Sequence, residues 1–346
     1  MRLADCTTLG VGGPARRFIR AGTEADLVEA VRAADQRGEP VLLLGGGSNV
    51  VVADEGFDGT VIQVATRGVG RDGEPGTVTA AAGEDWDGLV ARTVAEGLAG
   101  LECLSGIPGL VGATPIQNVG AYGQEVSQVL TCVRGYDRVA QQITAMPNER
   151  CGFGYRTSGF RRDPGRFVVL SVTFRLAVRP LSAPVRYPEL ADVLGVRVGD
   201  RVPGAEARSA VIELRQRKGM VVDPADPDTR SVGSFFVNPV LDQAALAAVE
   251  AAARARCGAG ARVPRFDAGD GLVKVPAAWL IERAGFGRGY GRGGARISTK
   301  HALALVNSGS ATAADVIALA REIRDGVRGA FGISLAPEPV LVGVTL

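Results

Sequence analysis

Hydrophobic positions in the N-terminal part of the chain alternate between a helical and a strand-like pattern. The stretch "TEADLVEAVRAADQRG" spaces its apolar residues three and four apart, begins with a capping residue at Thr23 and stops at Gly38, which predicts a helix. The apolar runs in "PVLLL", "NVVVAD" and "GTVIQVA" predict three strands. Together they predict a small α/β unit that ends near residue 68.

The middle of the chain, from about residue 69 to 200, changes to a pattern dominated by strands. "GTVTAAAGEDWDGLVARTVAEG" predicts a strand and a helix capped by Asp85. Alternating positions in "VLTCVRGYDR", "QQITA" and "RFVVLSVTFRLAV" predict a mostly antiparallel sheet. The Pro- and Arg-rich segment 177–203 has the character of an insertion, and it carries Tyr187.

The last third of the chain is mostly helical in pattern. Helices are predicted for "AEARSAVIELRQRKG", "LDQAALAAVEAAARAR", "PAAWLIERAG" and "TAADVIALAREIRDGVRGAFG", and a strand for "HALALVNSG". The final stretch, "ISLAPEPVLVGVTL", predicts a strand pair interrupted by two prolines.

Composition excludes several classes of function. With 346 residues and a net charge of only +2, the chain is large enough for two or three domains but lacks the basic surplus of a sequence-blind nucleic-acid or membrane binder. Its five cysteines form no CxxC pair and its one histidine cannot complete a cluster, so no metal site is expected. No signal pattern and no apolar run of about 20 residues is present, so we expect a cytoplasmic protein with reduced thiols.

Two glycine-rich loops are the first candidates for ligand binding. "GGGSN", residues 45–49, is equally compatible with a nest of backbone N–H groups for phosphate oxygens and with an ordinary hairpin turn. The second loop, residues 106–123, is long, uncharged and supplied with polar side chains at Thr114, Gln117 and Asn118. Two such loops could bind a diphosphate without lysine. A neutral site lined by amides suits a deeply bound ligand, which favours a flavin dinucleotide.

Ser234 in "SVGSFFVNP" is the first candidate for chemistry. The single histidine, His301, is the only imidazole available as a base, so a nucleophilic role for Ser234 is weakly supported. A neutral hydroxyl beside a glycine and two phenylalanines could instead donate a proton in a dry pocket, or could be a polar turn residue. The residues alone leave both interpretations open, and they assign no role to Lys300 or His301.

Seven motifs occur in the order found in one family of flavoenzymes. "TTLGVGGPA", "GGGSNVVV", "GLVGATPIQNVGAYG", "GYRTSGF", "SVGSFFVNP", "AAWLIERAG" and "LAPEPVLVG" resemble those of the UDP-N-acetylenolpyruvoylglucosamine reductase (MurB) family, from Thr7 to Gly343. The resemblance implies an α+β fold: an FAD-binding fold of the vanillyl-alcohol-oxidase (PCMH) type, made of two α/β subdomains, and a smaller α/β substrate-binding domain.

On that basis we expect three domains. The first FAD-binding subdomain covers 1–68, with the C-terminal strand at about 335–346 returning to it. The second FAD-binding subdomain covers 69–217, including the 177–203 insertion, and the substrate-binding domain covers 218–334.

The resemblance also implies a reaction and its residues. NADPH would reduce a non-covalently bound FAD, which would then reduce the enolpyruvyl ether of a UDP-sugar. The catalytic residues would be Arg156, Ser234 and Glu338, and "VRYPEL" resembles the tyrosine-bearing insertion of the family's larger form. The substrate contacts would be Tyr187, Lys218 and Asn238, and the cofactor contacts Gly45, Gly46, Gly47, Ser48, Asn49, Gly109, Gly112, Ala113, Thr114, Gln117, Asn118, Gly120, Ala121, Tyr122 and Gly123. Two positions depart from relatives: Ala336, where relatives often have a glutamate, and Pro339, where they often have a valine.

Two other functions compete with this one. The chain could be another FAD-dependent oxidase or dehydrogenase of the same fold superfamily, or a flavin- or nucleotide-binding protein without turnover. The joint presence of Arg156, Ser234 and Glu338 in their motifs argues against the other oxidase or dehydrogenase. Small molecules are the expected partners, with neither nucleic acid nor membrane, and we expect a monomer.

Overall fold

The structure is a computed structural model that describes residues 1–71 and 73–346. Its α-helices are α1 (Glu24–Gln36), α2 (Trp86–Ala95), α3 (Gly159–Arg162), α4 (Pro188–Leu194), α5 (Gly204–Arg217), α6 (Gln243–Cys257), α7 (Ala277–Arg283) and α8 (Ala313–Phe331). No helix in the described part of the chain combines the length and the apolar character that a membrane crossing requires.

The strands are short and numerous. They are β1 (Ala15–Ala21), β2 (Val41–Leu44), β3 (Val50–Val52), β4 (Phe57–Val64), β5 (Val69–Gly70), β6 (Thr77–Ala81), β7 (Leu98–Ala99), β8 (Gly120–Ala121), β9 (Gln124–Glu125), β10 (Leu130–Asp137), β11 (Gln142–Pro147), β12 (Phe167–Arg175), β13 (Ala177–Val178), β14 (Ser231–Ser234), β15 (Val240–Leu241), β16 (Phe266–Gly269), β17 (Leu272–Lys274), β18 (Gly291–Arg292), β19 (Ala295–Ile297), β20 (Ala304–Asn307) and β21 (Val340–Val342).

Capping interactions explain where several helices begin. The Thr23 hydroxyl accepts the N–H of Asp26 while the Asp26 carboxylate accepts the N–H of Thr23, a capping box that starts α1. Asp85 caps α2 through the N–H of Gly88 at 2.7 Å. Both helix starts were predicted from the sequence, and both predictions are confirmed.

The chain divides into two compact units that do not follow the order of the sequence. The first comprises residues 1–14, 48–56 and 222–346, and the second comprises residues 15–47 and 57–221. The division into three domains at 68, 217 and 334 stays a prediction.

The second unit contains two main sheets. In the smaller one, β1 and β2 flank β4 and both run parallel to it. The larger has the order β11-β10-β12-β6-β5 and is antiparallel throughout, which confirms the predicted antiparallel sheet. Trp86 is packed in the core beside the larger sheet, and its indole N–H donates to the carbonyl oxygen of Leu104 at 3.0 Å.

The first unit is built around an antiparallel sheet of order β14-β20-β19-β18. The helices α6, α7 and α8 contribute apolar side chains to the same core, which includes both Phe235 and Phe236. The C-terminal strand β21 runs parallel to β3. The predicted C-terminal strand pair is therefore reduced to one regular strand, because the Pro337 region makes only an isolated bridge, to Phe236.

Candidate active site

The turn formed by "GGGSN" joins strands of different sheets. β2 before the turn pairs with β4, whereas β3 after it pairs with β21. The hairpin interpretation of this turn is therefore wrong.

The two glycine-rich loops meet within the second unit. A Cβ atom added at Gly46 would lie 3.1 Å from the Cα atom of Gly109, and one added at Gly45 would contact the side chain of Leu110 at 3.6 Å. The backbone of Gly46 thus lies directly against the backbone of Gly109, and neither residue places a side chain on the surface that they form. A surface of this kind suits the close approach of a ligand's phosphates.

The second loop is fixed by the strand and helix beside it. The N–H of Gly112 donates to the carbonyl oxygen of Ala82 at 2.9 Å, and the N–H of Val111 donates to that of Glu84. A Cβ atom on Gly112 would lie 2.5 Å from the Cβ atom of Ala82, so only glycine fits here. The loop that the sequence left without structure is therefore held in place by the β6–α2 connection.

Two consecutive positive φ angles close a tight hairpin at the end of this loop. β8 pairs with β9, and the two residues between them, Tyr122 and Gly123, have φ angles of +48° and +83°. Positive φ at both central residues is the geometry of a type I′ turn, which is unusual for a tyrosine. Tyr122 therefore occupies a strained position, which the surrounding structure must stabilise.

Tyr122 belongs to an aromatic and charged cluster. Its ring meets that of Tyr187 edge-on at a centroid distance of 5.5 Å, and the Lys218 ammonium lies 5.7 Å from its centroid. Lys218 also pairs with Glu189 at 2.6 Å. Burial raises the pKa of Tyr122 to about 12 and also raises that of Tyr187, so both phenols are protonated donors at neutral pH.

Arg215 adds a second cation to this cluster. Burial lowers the pKa of its guanidinium to about 10, which still leaves it charged at neutral pH. Its Nη2 donates to the carbonyl oxygen of Met220 at 2.9 Å, while its buried Nε finds no acceptor among the residues that the structure describes. A buried cation with a donor to spare is suited to an anionic ligand.

Arg156 lies in a tight turn of the second unit. The backbone groups of Gly154 and Thr157 pair with each other, and Arg156 has a φ of +53°. Its Nη2 donates to the carbonyl oxygen of Gly120 at 2.7 Å, and its guanidinium lies 5.4 Å from the centroid of the Tyr155 ring. The cation is thus held at the β8–β9 hairpin.

Ser234 and the segment of Glu338 are neighbours within the first unit. The N–H of Glu338 donates to the carbonyl oxygen of Phe235 at 2.8 Å, and the N–H of Val237 donates to that of Ala336 at 3.0 Å. On its other side, Ser234 is paired with Ala304 of β20. The structure therefore brings together two of the three predicted catalytic residues.

Comparison with known proteins identifies the family. A model of an FAD binding domain matches residues 15–141, and a model of the UDP-N-acetylenolpyruvoylglucosamine reductase C-terminal domain matches residues 223–342. UDP-N-acetylenolpyruvoylglucosamine reductases of Streptomyces avermitilis and Thermobifida fusca are 58% and 56% identical over 99% of this chain, covering 94% and 97% of their own lengths. This chain belongs to the UDP-N-acetylenolpyruvoylglucosamine reductase family.

The fold agrees with this membership. The crystal structure of the reductase (MurB) from Thermus caldophilus matches 99% of this chain and 97% of its own with a TM-score of 0.67, at 27% identity. The predicted family is confirmed, as is the predicted α+β architecture with an FAD-binding fold of the PCMH type. The chain is thus an oxidoreductase with an FAD-binding domain.

The other predicted site residues of the reductase also find defined positions. Asn238 accepts the N–H of Ala277 through Oδ1 at 2.8 Å, at the start of α7. The Gln117 side chain accepts from Arg161, and the Thr114 hydroxyl donates to the carbonyl oxygen of Val111. Their assignments as substrate or cofactor contacts stay predictions. Among the described residues, no cluster of metal-ligating side chains occurs.

Sequence reasoning missed three residues of the second unit. Arg215 lies three positions before Lys218, so the helical period of the predicted helix places both on one face. Glu189 follows Tyr187 by two positions in "VRYPEL" and forms the ion pair with Lys218. Glu125 accepts a hydrogen bond from Asn118, and the sequence contained no signal for that contact.

Proposed function

We propose that this protein reduces UDP-N-acetylglucosamine enolpyruvate to UDP-N-acetylmuramate in peptidoglycan synthesis, with NADPH as the source of hydride. The family membership and the FAD-binding domain support this reaction. The single observation that carries the residue assignment is the pairing of the Glu338 segment with the strand end that bears Ser234.

Charge on the substrate determines which groups the reaction needs. Hydride addition to the enolpyruvyl double bond leaves negative charge on the carbon that bears the carboxylate, and the charge spreads into that carboxylate. A guanidinium stays protonated and offers two parallel N–H donors, so we assign Arg156 to this carboxylate. Glu338 stabilises the same intermediate, either as a hydrogen-bond donor when protonated or by orienting a cation when ionised.

Ser234 donates the proton that completes the reaction. The acceptor is a strongly basic carbon, so even an unactivated hydroxyl is a competent acid at contact distance. Phe235 and Phe236 are both fully buried after Ser234, which supports an environment from which water is excluded.

The cluster around Tyr122 is assigned to the diphosphate of the substrate. Tyr187 supplies a phenol and Lys218 an ammonium. Tyr122, which contacts both, supplies a second phenol beside them. Phosphate oxygens prefer such donors and cations, and Arg215 adds buried positive charge. Asn238 is assigned to the substrate on the family motif alone.

The glycine loops fit a bound FAD. Gly46 and Gly109 lie in close contact and have no side chains. They therefore expose a backbone surface to which a ligand can come close. We assign the cofactor contacts to the residues of 45–49 and 109–123 predicted above, and we propose non-covalent binding. Asn118 is assigned through its backbone alone, because its side-chain amide is engaged within the protein. When bound, FAD supplies the relay of hydride from NADPH to the enolpyruvyl group. The protein is proposed to act as a cytoplasmic monomer.

An anaerobic bleaching experiment tests this function. NADPH should bleach the yellow holoprotein, and the UDP-enolpyruvyl sugar should restore the colour without oxygen. Recovery with air but not with the sugar would indicate a different oxidase. Failure of NADPH to bleach the protein would contradict the proposed reaction.

A further inference from the structure

Three consecutive residues of the second glycine-rich loop hold the segment that carries Arg156. Each of Ile116, Gln117 and Asn118 contacts a different part of residues 154–161. The contacts are Ser158 Oγ to Ile116 O (2.6 Å), Arg161 Nη1 to Gln117 Oε1 (2.9 Å) and Asn118 Nδ2 to Gly154 O (3.1 Å). Since Ser158 and Asn118 are almost fully buried, these contacts lie in the interior of the unit.

The turn that presents Arg156 requires such support. Arg156 has a φ of +53°, a left-handed conformation that is less favourable than the right-handed one for a non-glycine residue. The turn is closed by Gly154 N–H to Thr157 O at 3.0 Å and by a longer return bond of 3.3 Å. The Asn118 amide donates to Gly154 O, the acceptor of that longer bond, and so stabilises the turn from outside.

Asn118 also organises the hairpin that contacts the Arg156 guanidinium. Its second amide hydrogen goes to the Glu125 carboxylate at 2.8 Å, and its Oδ1 accepts the N–H of Ser127 at 3.1 Å. Glu125 is paired in the hairpin with Gly120, whose carbonyl oxygen accepts Arg156 Nη2. Through these contacts the Asn118 side chain holds both the turn that contains the Arg156 backbone and the hairpin that accepts the Arg156 guanidinium.

We propose that Asn118 is a positioning residue for Arg156. Both hydrogens of its amide are donated within the protein, and its own φ of +48° is one that asparagine tolerates better than most residues. Asn118 therefore acts on the reaction through Arg156. The inference rests on the proposed function, in which Arg156 binds the enolpyruvyl carboxylate.

The variant Asn118→Gly tests this role because glycine keeps the positive φ while it removes the side chain with its amide. In the holoenzyme, the FAD content and the rate of flavin reduction by NADPH should stay within about 3-fold of wild type. Anaerobic flavin reoxidation by the UDP-enolpyruvyl sugar should slow by roughly 10- to 100-fold, the cost of a misplaced group of this kind. The control is Gln141→Gly, which makes the same change at φ +53° in an exposed hairpin and should leave both rates unchanged.

A double-mutant cycle separates positioning from general damage. Arg156→Ala should slow reoxidation by about 10²–10³-fold, and adding Asn118→Gly to it should slow reoxidation by less than about 2-fold more. Full additivity, an unchanged reoxidation rate in Asn118→Gly, or equal slowing of both half-reactions would overturn the positioning role. If Arg156→Ala itself leaves reoxidation unchanged, the proposed function of Arg156 fails, and that outcome is distinct from a failure of Asn118 alone.

Urea unfolding of the holoproteins gives a second readout that does not depend on turnover. Asn118→Gly should lower the urea concentration at the unfolding midpoint, because two buried amide hydrogen bonds are lost. Binding of the UDP-enolpyruvyl sugar to the oxidised holoenzyme, followed by flavin absorbance, should weaken in Asn118→Gly and in Arg156→Ala but not further in the double variant. Further weakening in the double variant would contradict a role through Arg156.

Discussion

Glu338 donates its backbone N–H to the carbonyl oxygen of Phe235 at 2.8 Å, one residue beyond Ser234. The bond, with that from Val237 to Ala336, pairs the C-terminal segment with the end of β14. A proline at position 339 does not break this pairing, because the donors are Val237 and Glu338. Two candidate catalytic residues are thus fixed by backbone bonds that side-chain substitutions leave in place, which makes Ser234 suitable for mutation.

The first prediction concerns Ser234 and the two half-reactions. Flavin reduction by NADPH needs no proton from Ser234, so Ser234→Ala should keep that rate within a few-fold of wild type. Flavin reoxidation by the enolpyruvyl sugar should fall by at least ~10²–10⁴-fold, the usual contribution of a positioned general acid. Ser234→Cys should recover part of the loss, because a thiol can donate a proton from nearly the same place. Stopped-flow absorbance of the flavin measures both rates.

A serine in the same unit provides the control for this prediction. Ser308 donates its hydroxyl to the carbonyl oxygen of Gly294 at 2.9 Å, so Ser308→Ala should cost about 1 kcal/mol of stability and affect neither half-reaction. Equal slowing of both half-reactions by Ser234→Ala would indicate damage to the flavin site. If neither slows, Ser234 is a polar turn residue.

The second prediction concerns Tyr187. Loss of a phenol that donates to an anion costs about 1–2 kcal/mol, so Tyr187→Phe should raise the KM for the UDP-sugar by roughly 5- to 30-fold. NADPH oxidation by the flavin should be nearly unchanged. Tyr136→Phe is the control, since its hydroxyl accepts from Arg32 at 3.0 Å and should affect stability only. An unaltered KM in Tyr187→Phe would contradict the substrate assignment.

The third prediction concerns how FAD is held. The two glycine-rich loops contain neither cysteine nor histidine, the usual points of flavin attachment. Acid precipitation of the yellow holoprotein should therefore release all of its flavin as FAD into the supernatant. Flavin retained in the pellet would contradict non-covalent binding, and a colourless protein that cannot be reconstituted with FAD would contradict cofactor binding altogether.

Local patterns were sufficient to predict most elements but not their partners. The starts of α1 and α2 follow from caps within a few residues, so the sequence determines them directly. The pairing of β3 with β21 joins strands almost 300 residues apart and leaves no local signature, which is why the turn before β3 resembled a hairpin.

The candidate site shows the same limit. Ser234 and Glu338 were assigned through family motifs, since their proximity depends on a distant backbone pairing. The position of Tyr122 in "GAYG" predicts a cofactor contact, which stays a prediction. The sequence gives no sign that the Tyr122 ring lies against Tyr187 and Lys218. The geometry of the turn determines the direction in which the Tyr122 ring points, and positive φ at a tyrosine cannot be inferred from composition.

The last prediction concerns Gly112, where the loop touches the β6–α2 connection. A Cβ atom there would lie 2.5 Å from the Cβ and 3.0 Å from the Cα of Ala82, and backbone on that side cannot yield without moving the loop. Gly112→Ala should therefore cost about 1–3 kcal/mol of stability and weaken FAD binding together. Gly329→Ala in α8, where nothing lies within 4 Å, should be neutral or stabilising by up to about 1 kcal/mol. Urea unfolding and FAD titration of the apoprotein measure the two effects, and a Gly112→Ala protein with wild-type FAD affinity would show that this contact does not shape the flavin loop.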